Sequence, residues 1–364
     1  MSLLYDDSQL AIATESRRVL EARANTETQL SLLERTGEYD LSFWETAREQ
    51  GWCGIVIPEA HGGLGLGLVE LGIVALEAGR TLAGAPFLTS SFGATRALID
   101  HGSEAQKSEW LPRLASGAAI GAIAFAEKQT VLPANSAVRF ADGLLSGAKF
   151  AISGGLHADV AVVLASDGTA PMLAIVALDN VVRAPVETYD NSRCAATLTF
   201  ENTPATEIAR GEAALHAART LLALQAVVTA YEQTGAAEAL MEKARDYALT
   251  RRAFGQPIGA FQSVKHRIAE LYAHVELARS GALHAATRDG KEDFLLAAAA
   301  ARIAATDAYD AAARDAIQVH GGIGVTWEAG LHLHMRRSRT LANEQGNLMF
   351  WEDLLVDELE RAEA

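Results

Sequence analysis

Cysteine is nearly absent from this chain of 364 residues, which contains two, Cys53 and Cys194. Two cysteines in separate regions form neither a disulfide framework nor the paired spacing of a zinc site, so we expect a reducing, cytoplasmic location. Positive charge is also scarce. The formal net charge is -15, and because nucleic-acid phosphates require a basic surface, the composition argues against nucleic acid as the main partner.

Long hydrophobic runs and secretory features are missing as well. The N-terminus, "MSLLYDDSQL", has acidic residues where a signal peptide has basic ones, and no long apolar core follows. No stretch reaches the ~20 apolar residues of a membrane span, so we expect none. Aromatic residues make up 6% of the chain while hydrophobic residues make up 49%, a composition typical of packed helices with small contact residues.

The hydrophobic pattern changes twice along the chain. Residues 1–120 carry apolar stripes at helical spacing, as in "GLVELGIVALEAGRTL". Residues 121–210 contain short apolar runs such as "ADVAVVLAS", separated by Gly, Asp, Asn and Pro, which predict an antiparallel sandwich or barrel. Residues 211–364 return to helices, with no proline between Ala213 and Gly255. We predict a mainly helical α+β fold with an N-terminal helical domain, a middle antiparallel β domain and a C-terminal four-helix bundle.

Two segments interrupt the last helices with glycine and basic residues. In "RRAFGQPIGAFQSVKHR", which starts at Arg251, Gly255 suits a left-handed helix cap and Pro257 prevents the helix from continuing. Arginines in a last helical turn also complement the helix dipole, which explains them without a ligand. In "IQVHGGIGVTWEAGLHLHMRRSR", bare glycine amides at Gly321 and Gly322 suit a diphosphate cradle. Three basic clusters beside glycine-rich breaks, the third at residues 336–339, favour a phosphorylated small ligand.

These two segments resemble the signatures of the acyl-CoA dehydrogenase family. "GWCGIVIPEAHGGLGLG", "GSEAQKSEWLPRLASG" and "LSGAKFAISGG" are similar to other landmarks of that family, in the same order, over nearly the whole chain. The resemblance implies FAD as cofactor, an acyl-CoA as substrate and an electron-transfer flavoprotein as electron acceptor. It implies a homotetramer, or a heterotetramer with a homologous subunit. The cofactor-binding positions that it implies are Arg251, Phe254, Gln262, Gln318, Gly321, Gly322, Phe150 and Ser153, with Lys149 as a further candidate beside the flavin.

The resemblance fails at the catalytic base, the carboxylate that removes the α proton of the acyl-CoA. The usual position for this Glu is Gln345 here, and the alternative position on the long helix is Gln225. Three explanations stay open. A homologous partner supplies the base, as in the smaller subunits of heteromeric acyl-CoA dehydrogenases, which "LHLHMRRS" resembles and which act on steroid side chains and on dicarboxylic or cyclic acyl-CoAs. Otherwise Glu344 is the base, or Glu232 is, although Glu232 lies two turns (~10.5 Å) from Gln225 along a helix.

The middle region departs from the family too. "AEKQTVLPANSAV" is shorter than the family's corresponding stretch, Ala126 stands where a Thr often contacts flavin, and Phe150 takes the position of a Trp. Five histidines, at positions 61, 157, 320, 332 and 334, lack the carboxylate or cysteine that would complete a metal site, so no metal is expected. Arg245 and Asp246 are candidates for substrate contact or for an ion pair within the helix.

The sequence therefore predicts an FAD-dependent acyl-CoA dehydrogenase, acting alone or as one subunit of a heteromer. Two alternatives remain: a non-catalytic structural subunit that completes a partner's FAD site, and a related flavin oxidase or monooxygenase.

Overall fold

The computed structural model describes residues 5–33, 35–83, 87–128 and 130–363. Residue contacts divide the chain into two compact units, each assembled from separate segments. The first, here called the helical unit, contains the described residues up to Ser31, Leu68–Ala83 and the described residues from Ala226 onward. The second, the sheet unit, contains the described residues of Leu32–Gly67 and those from Phe87 to Gln225. The division into residues 1–120, 121–210 and 211–364 stays a prediction.

Helices account for most of the described chain, and the predicted class, mainly helical with a middle sheet, is confirmed. In chain order the helices are α1 (Asp7–Arg23), α2 (Thr26–Leu33), α3 (Leu41–Glu49), α4 (Leu68–Arg80), α5 (Phe87–His101), α6 (Glu104–Ala115), α7 (Glu212–Thr250), α8 (Gln262–Thr287), α9 (Phe294–His320), α10 (Leu331–Leu341) and α11 (Leu348–Glu363).

Helix α7 is a single helix of 39 residues, and the absence of proline after Ala213 allows it to continue unbroken. Among the described residues it has the length and composition of a membrane-spanning helix, but 72% of its most apolar stretch is buried, as in the core helix of a soluble protein. Glycines let α4 lie against it. A Cβ on Gly79 would lie 2.0 Å from the backbone oxygen of Glu232, and one on Gly235 would lie 1.9 Å from that of Leu76.

The middle strands form one mixed sheet, so the prediction of a purely antiparallel domain is wrong in this detail. The strands are β1 (Gly121–Ala124), β2 (Arg139–Ala141), β3 (Leu144–Ile152), β4 (Val160–Ser166), β5 (Pro171–Ala177), β6 (Val182–Pro185), β7 (Ala196–Pro204) and β8 (Thr206–Arg210). Their order is β6-β7-β3-β2-β4-β5-β8, and β1 pairs with β4. Both β1 and β2 run parallel to β4, whereas the other pairings are antiparallel. Apolar alternation marks a strand but does not reveal its partner or direction.

The break after α7 is a hairpin. The helix ends at Thr250, and two short strands, β9 (Arg252–Ala253) and β10 (Gln256–Pro257), pair antiparallel. Phe254 and Gly255 form the two-residue turn, with φ values of 50° and 85°. Positive φ at both central residues is what a tight hairpin turn needs. Gly255 therefore has the predicted left-handed conformation, but it serves a turn rather than a helix cap.

Candidate cofactor and substrate site

The segment after α7 exposes two arginines, Arg251 and Arg252, and one aromatic ring. Arg251 and Phe254 are both exposed, and Phe254 is 95% exposed despite being a large apolar residue. The ring of Phe254 packs edge-on against Phe261, with the ring centroids 6.2 Å apart. The Arg252 side chain donates to the backbone oxygen of Gly255 at 2.8 Å, so it stabilises the hairpin. Such an exposed aromatic side chain suits contact with a ligand or another subunit.

The C-terminus of α9 lies beside the C-terminus of α7 within the helical unit. Tyr247 and His320 stack with ring centroids 4.2 Å apart and an interplanar angle of 23°. Gln318, which is exposed, lies two residues before this histidine, and Gly321 and Gly322 follow it. The structure therefore brings together two of the sequence segments that the resemblance assigns to the cofactor. Gln262, the first residue of α8, is exposed at the end of the segment that joins α7 to α8.

The glycines after α9 leave room for a ligand, which provides a test of the implied FAD. A Cβ built on Gly321 or on Gly322 would meet nothing within 4 Å. Gly321 adopts φ 64° and ψ -141°, a conformation that L-residues rarely adopt. Open space over bare backbone amides, in a unit that also carries the exposed guanidinium of Arg251, suits the anionic diphosphate of a dinucleotide. The residues of the helical unit therefore fit the cofactor that the resemblance implies.

The sheet unit holds the other two predicted flavin contacts, Phe150 and Ser153, which are both partly exposed. The backbone N–H of Phe150 donates to the oxygen of Ala126 at 3.0 Å, which ties β3 to the chain just after β1. Lys149, by contrast, is fully buried. Its Nζ lies 2.5 Å from Glu127 and 3.0 Å from the backbone oxygen of Phe125, so the interpretation of Lys149 as a flavin-edge contact is wrong. Burial lowers the pKa of this ammonium to about 8, although the Glu127 carboxylate opposes that shift.

The alternative base position, Gln225, performs a structural role in the sheet unit. Its side chain is 4% exposed, and its Nε2 donates to the backbone oxygen of Thr89 at 2.9 Å. A carboxylate in its place would have no proton to donate and would lie against a carbonyl oxygen. The amide is therefore the group that this position requires.

The usual base position, Gln345, lies in the loop between α10 and α11. Its φ is 56°, in the left-handed region, and the Oγ1 of Thr229 donates to its Oε1 at 3.0 Å. The loop is held from inside the helical unit by Arg302, whose Nη2 donates to the backbone oxygens of Leu341 and Glu344. Burial lowers the pKa of the Arg302 guanidinium to about 10. Because the Thr229 hydroxyl donates to an oxygen of residue 345, a carboxylate at this position would keep the hydrogen bond.

Two carboxylates remain as candidates for the base. Glu344, adjacent to Gln345, is partly exposed, and its backbone oxygen is held by Arg302 at 3.0 Å. Glu232 is 6% exposed, and its Oε1 lies 2.9 Å from Nη1 of Arg337. Glu232 is thus not a free base, because its carboxylate forms an ion pair with the buried guanidinium of Arg337.

The third basic cluster does not form a phosphate site. Arg337 pairs with Glu232, and Arg339 lies 2.8 Å from Asp310. Arg336, the third arginine of the cluster, is exposed. In the second basic cluster, residues 265–267, Arg267 pairs with Asp315. Arg245 and Asp246 contact each other at 2.8 Å on the surface of α7, which fits the ion-pair interpretation.

The histidines make contacts of other kinds. His157 lies 2.7 Å from the backbone oxygen of Gly37, His332 stacks on Trp327, and His334 lies 3.1 Å from the hydroxyl of Tyr309. Burial, with Lys243 and Arg337 nearby, lowers the pKa of His334 well below its usual value. In the described part of the chain, no three His, Cys, Asp or Glu side chains are grouped to hold a metal ion.

Thr229 and Arg302 were not identified from the sequence. An arginine within the run of alanines that begins α9 is a signal for Arg302, because a buried guanidinium in a small-residue helix requires acceptors. Thr229 carried no such signal. Its partner lies 116 residues away in the chain.

Comparisons with known proteins agree with these observations. The family model described as Acyl-CoA dehydrogenase, N-terminal domain, matches residues 6–118, and the C-terminal domain model matches residues 215–348. The chain is 34% identical over 304 residues to acyl-CoA dehydrogenase IpdE2 of Mycobacterium tuberculosis, which covers 82% of this chain and 81% of that protein.

Two solved structures share the fold. The chain matches one from the ChsE4-ChsE5 complex of Mycobacterium tuberculosis with a TM-score of 0.88 and 24% identity, over 99% of both chains. A glutaryl-CoA dehydrogenase from Mycobacterium smegmatis in complex with FADH2 matches with a TM-score of 0.86 and 21% identity, over 98% of this chain and 95% of the other.

Proposed function

Because the chain belongs to the acyl-CoA dehydrogenase family, we propose that it is the FAD-binding subunit of an acyl-CoA dehydrogenase whose catalytic base comes from a homologous partner subunit. The reaction is the α,β-dehydrogenation of an acyl-CoA thioester. The observation that carries the proposal is the pair of amides, Gln225 and Gln345, at the two positions where the family places its base. The complex of ChsE4 with ChsE5, which shares the fold, supports a heteromeric assembly.

The proposed cofactor site uses the residues of the helical unit described above. When bound, FAD supplies the acceptor for the hydride that leaves Cβ of the acyl group. Arg251 neutralises the diphosphate, and the amides around Gly321 and Gly322 donate to it. Gln262 and Gln318 add polar contacts, and Phe254 packs against the adenine end or a neighbouring subunit. For the sheet unit, the resemblance assigns flavin contacts to Phe150 and Ser153. The FADH2 complex of a protein with the same fold supports FAD as the cofactor.

The proposal leaves the α proton to a partner because the two positions where the family places its base carry amides and Glu232, a third candidate, is paired. The amides of Gln225 and Gln345 have no basic lone pair of useful strength. Glu232 is held by Arg337 at 2.9 Å. Glu344 is the one candidate base in this chain that the proposal retains. The alternative within the same function is therefore a homotetramer in which Glu344 is the catalytic base. Electrons pass to an electron-transfer flavoprotein, and the enzyme works in the cytoplasm.

The decisive experiment compares the purified chain with its complex with the product of any neighbouring homologous gene. Flavin absorbance and acyl-CoA turnover are measured in both states. We expect FAD to be bound in the complex and turnover to require the partner. A chain that turns over alone and loses activity in Glu344→Gln would contradict the partner-supplied base. The gain-of-function variant Gln345→Glu is expected to give the chain measurable turnover, since Thr229 can donate to a carboxylate as it does to the amide.

The same measurements separate the two alternative functions. A complex that is active while this chain contributes no residue to FAD binding would identify a structural subunit, and Arg251→Gln would then leave flavin content unchanged. A flavin oxidase or monooxygenase would be reoxidised rapidly by air after reduction, whereas a dehydrogenase is not. Stopped-flow mixing of the reduced protein with aerated buffer distinguishes the two.

A further inference from the structure

A pocket of about 320 Å³ lies within the helical unit. Its walls come from the junction of α1 and α2, the C-terminal end of α4, the face of α7 around Lys243 and the N-terminus of α10. The volume is in the range of small-molecule sites, which are typically ~300–1,000 Å³. None of the residues assigned above to FAD or to the catalytic base lines it, so the pocket needs an interpretation of its own.

His334 presents a free ring nitrogen to this pocket. The residue is 1% exposed and lines the pocket, and its Nδ1 lies 3.1 Å from the hydroxyl of Tyr309. Within the described residues its Nε2 has no hydrogen-bond partner, yet it is not among the fully enclosed nitrogen atoms that lack one. Since the pocket is the accessible space beside this side chain, Nε2 faces it. The low pKa of the ring keeps it neutral, and Nε2 donates when Tyr309 donates to Nδ1.

The N-terminus of α10 reaches the same pocket. The helix has 11 residues, and its N-cap, Gly330, lines the pocket with φ 65°. No side-chain hydrogen bond caps the helix, and the first N–H groups of α10 have no intrahelical acceptor. Thr26 lies close to this end, because a Cβ on Gly330 would lie 3.2 Å from its Cγ2. Unpaired amides and the positive end of the helix dipole both favour a negatively charged ligand.

Lys243 adds a cation to these donors. It is exposed and lines the pocket, and within the described residues its ammonium forms no ion pair. Two carboxylates of the pocket have arginine partners of their own: Glu242 lies 2.5 Å from Arg80, and Asp246 lies 2.8 Å from Arg245. Desolvation at the pocket wall, with the Arg80 charge nearby, lowers the pKa of the Lys243 ammonium, as expected where no carboxylate stabilises it. The pocket therefore holds an ammonium that is available to a ligand.

We propose that this pocket binds a small oxyanion, a phosphate or a carboxylate group, through the Lys243 ammonium, the N-terminal amides of α10 and Nε2 of His334. A charge-assisted hydrogen bond from Lys243 supplies most of the affinity, and the amides and the imidazole orient the oxygens. Glu21, the remaining carboxylate among the described lining residues, is exposed, so water and salt screen its repulsion of the ligand. None of these groups takes part in the proposed function, so the site can be tested independently of it.

Lysine labelling of the purified full-length protein tests the site directly. Acetic anhydride acetylates accessible amines, and peptide mass spectrometry gives the rate at each lysine. Inorganic phosphate should slow acetylation of Lys243 by about fivefold at four times its dissociation constant, as mass action requires. Lys291, which is exposed between α8 and α9, is the control within the same digest and should be labelled at an unchanged rate. Acetate is the second probe, and sodium chloride at equal ionic strength controls for screening.

Matched variants test the assigned donors by calorimetry with inorganic phosphate. Lys243→Met should weaken phosphate binding by about 10- to 100-fold, the range for a hydrogen bond from a charged group. Lys291→Met removes the same charge elsewhere and should change the affinity by less than about threefold. His334→Leu should weaken binding by about 3- to 10-fold, and His334→Gln, whose amide can donate in place of Nε2, should restore most of that loss. Thermal unfolding shows whether each variant is folded, and Lys243→Met decides the matter if His334→Leu is not.

The possible results separate clearly. Saturable protection of Lys243 by phosphate or acetate, absent at Lys291, supports the site, and the tighter probe identifies the group that it recognises. Protection by neither anion, equal protection by chloride, or unchanged phosphate affinity in Lys243→Met would each overturn it. Flavin content and acyl-CoA turnover play no part in these measurements. Failure of the oxyanion site would therefore leave the proposed function standing, and a chain that lacks FAD could still bind the anion.

Discussion

Arg337 and Glu232 form an ion pair of 2.9 Å in which neither side chain is more than 8% exposed. From the sequence, Arg337 was part of a basic cluster expected to bind a phosphorylated ligand, and Glu232 was a candidate catalytic base. Because the two side chains pair with each other, neither interpretation holds. It also joins α7 to α10, since the two residues are 105 positions apart in the chain.

Removing one member of this pair should destabilise the protein strongly. Glu232→Leu leaves the Arg337 guanidinium buried without its carboxylate, which costs about 3–5 kcal/mol, whereas the double variant Glu232→Leu/Arg337→Met removes both charges and should recover most of that loss. Urea unfolding measures both. The exposed Glu360→Leu on α11 is the control, with an expected change within about 0.5 kcal/mol. A Glu232→Leu protein as stable as this control would contradict the buried pair.

The two glutamines at base positions should respond differently to conversion into glutamate. Gln225→Glu loses the donor to the Thr89 oxygen and brings a carboxylate against it, so we expect destabilisation by about 1–3 kcal/mol. Gln345→Glu keeps an acceptor for Thr229 and should change stability by less than about 1 kcal/mol. Parallel urea titrations compare the two. Equal stability of the two variants would mean that the Gln225 amide has no structural role.

Arg302 should control the order of the α10–α11 loop. Arg302→Met removes the donor to Leu341 and Glu344 and should increase amide hydrogen exchange across residues 341–346 by at least about tenfold, equivalent to ~1.4 kcal/mol of local stability. Arg314→Met, on the surface of the same helix, is the control and should leave exchange in the loop unchanged. Unaltered loop exchange in Arg302→Met would show that other contacts hold the loop.

The sequence predicted the elements better than it predicted their partners. Helical periodicity located α7, α8 and α9 because it is a local property, and glycine with exposed cations located the proposed cofactor segments. The direction of β1 relative to β4 and the burial of Lys149 depend on residues distant in the chain, and no local pattern encodes them. The same holds for the contact between Thr229 and Gln345. The sequence predicted too many ligand-binding cations, because Arg337 and Arg267 pair with carboxylates that lie more than 40 residues away in the chain.

Lys149 should make stability depend on alkaline pH. Burial lowers its pKa to about 8 in the folded chain, below the usual value of 10.5, so between these values the unfolded state binds more protons than the folded state. Stability contributed by this group therefore rises as pH increases from about 8 to about 10.5. Lys149→Met should lack this rise, and the difference between wild-type and variant unfolding free energies across that interval measures it. Identical pH profiles would place the Lys149 pKa near its ordinary value.

Adjacent arginines at the end of α7 provide the sharpest test of the cofactor site. Both are exposed, but Arg252 is bound to the Gly255 oxygen of its own hairpin, whereas Arg251 donates to no acceptor within the described residues. If Arg251 neutralises the diphosphate, Arg251→Gln should weaken FAD binding by about 10- to 100-fold, since a hydrogen bond to a charged group contributes about 1.5–3 kcal/mol. Arg252→Gln changes the same charge one residue away and should weaken it by less than about threefold. Flavin fluorescence titration of the apoprotein measures both affinities. Equal losses would indicate a diffuse effect of charge, and no loss in Arg251→Gln would remove this residue from the cofactor site.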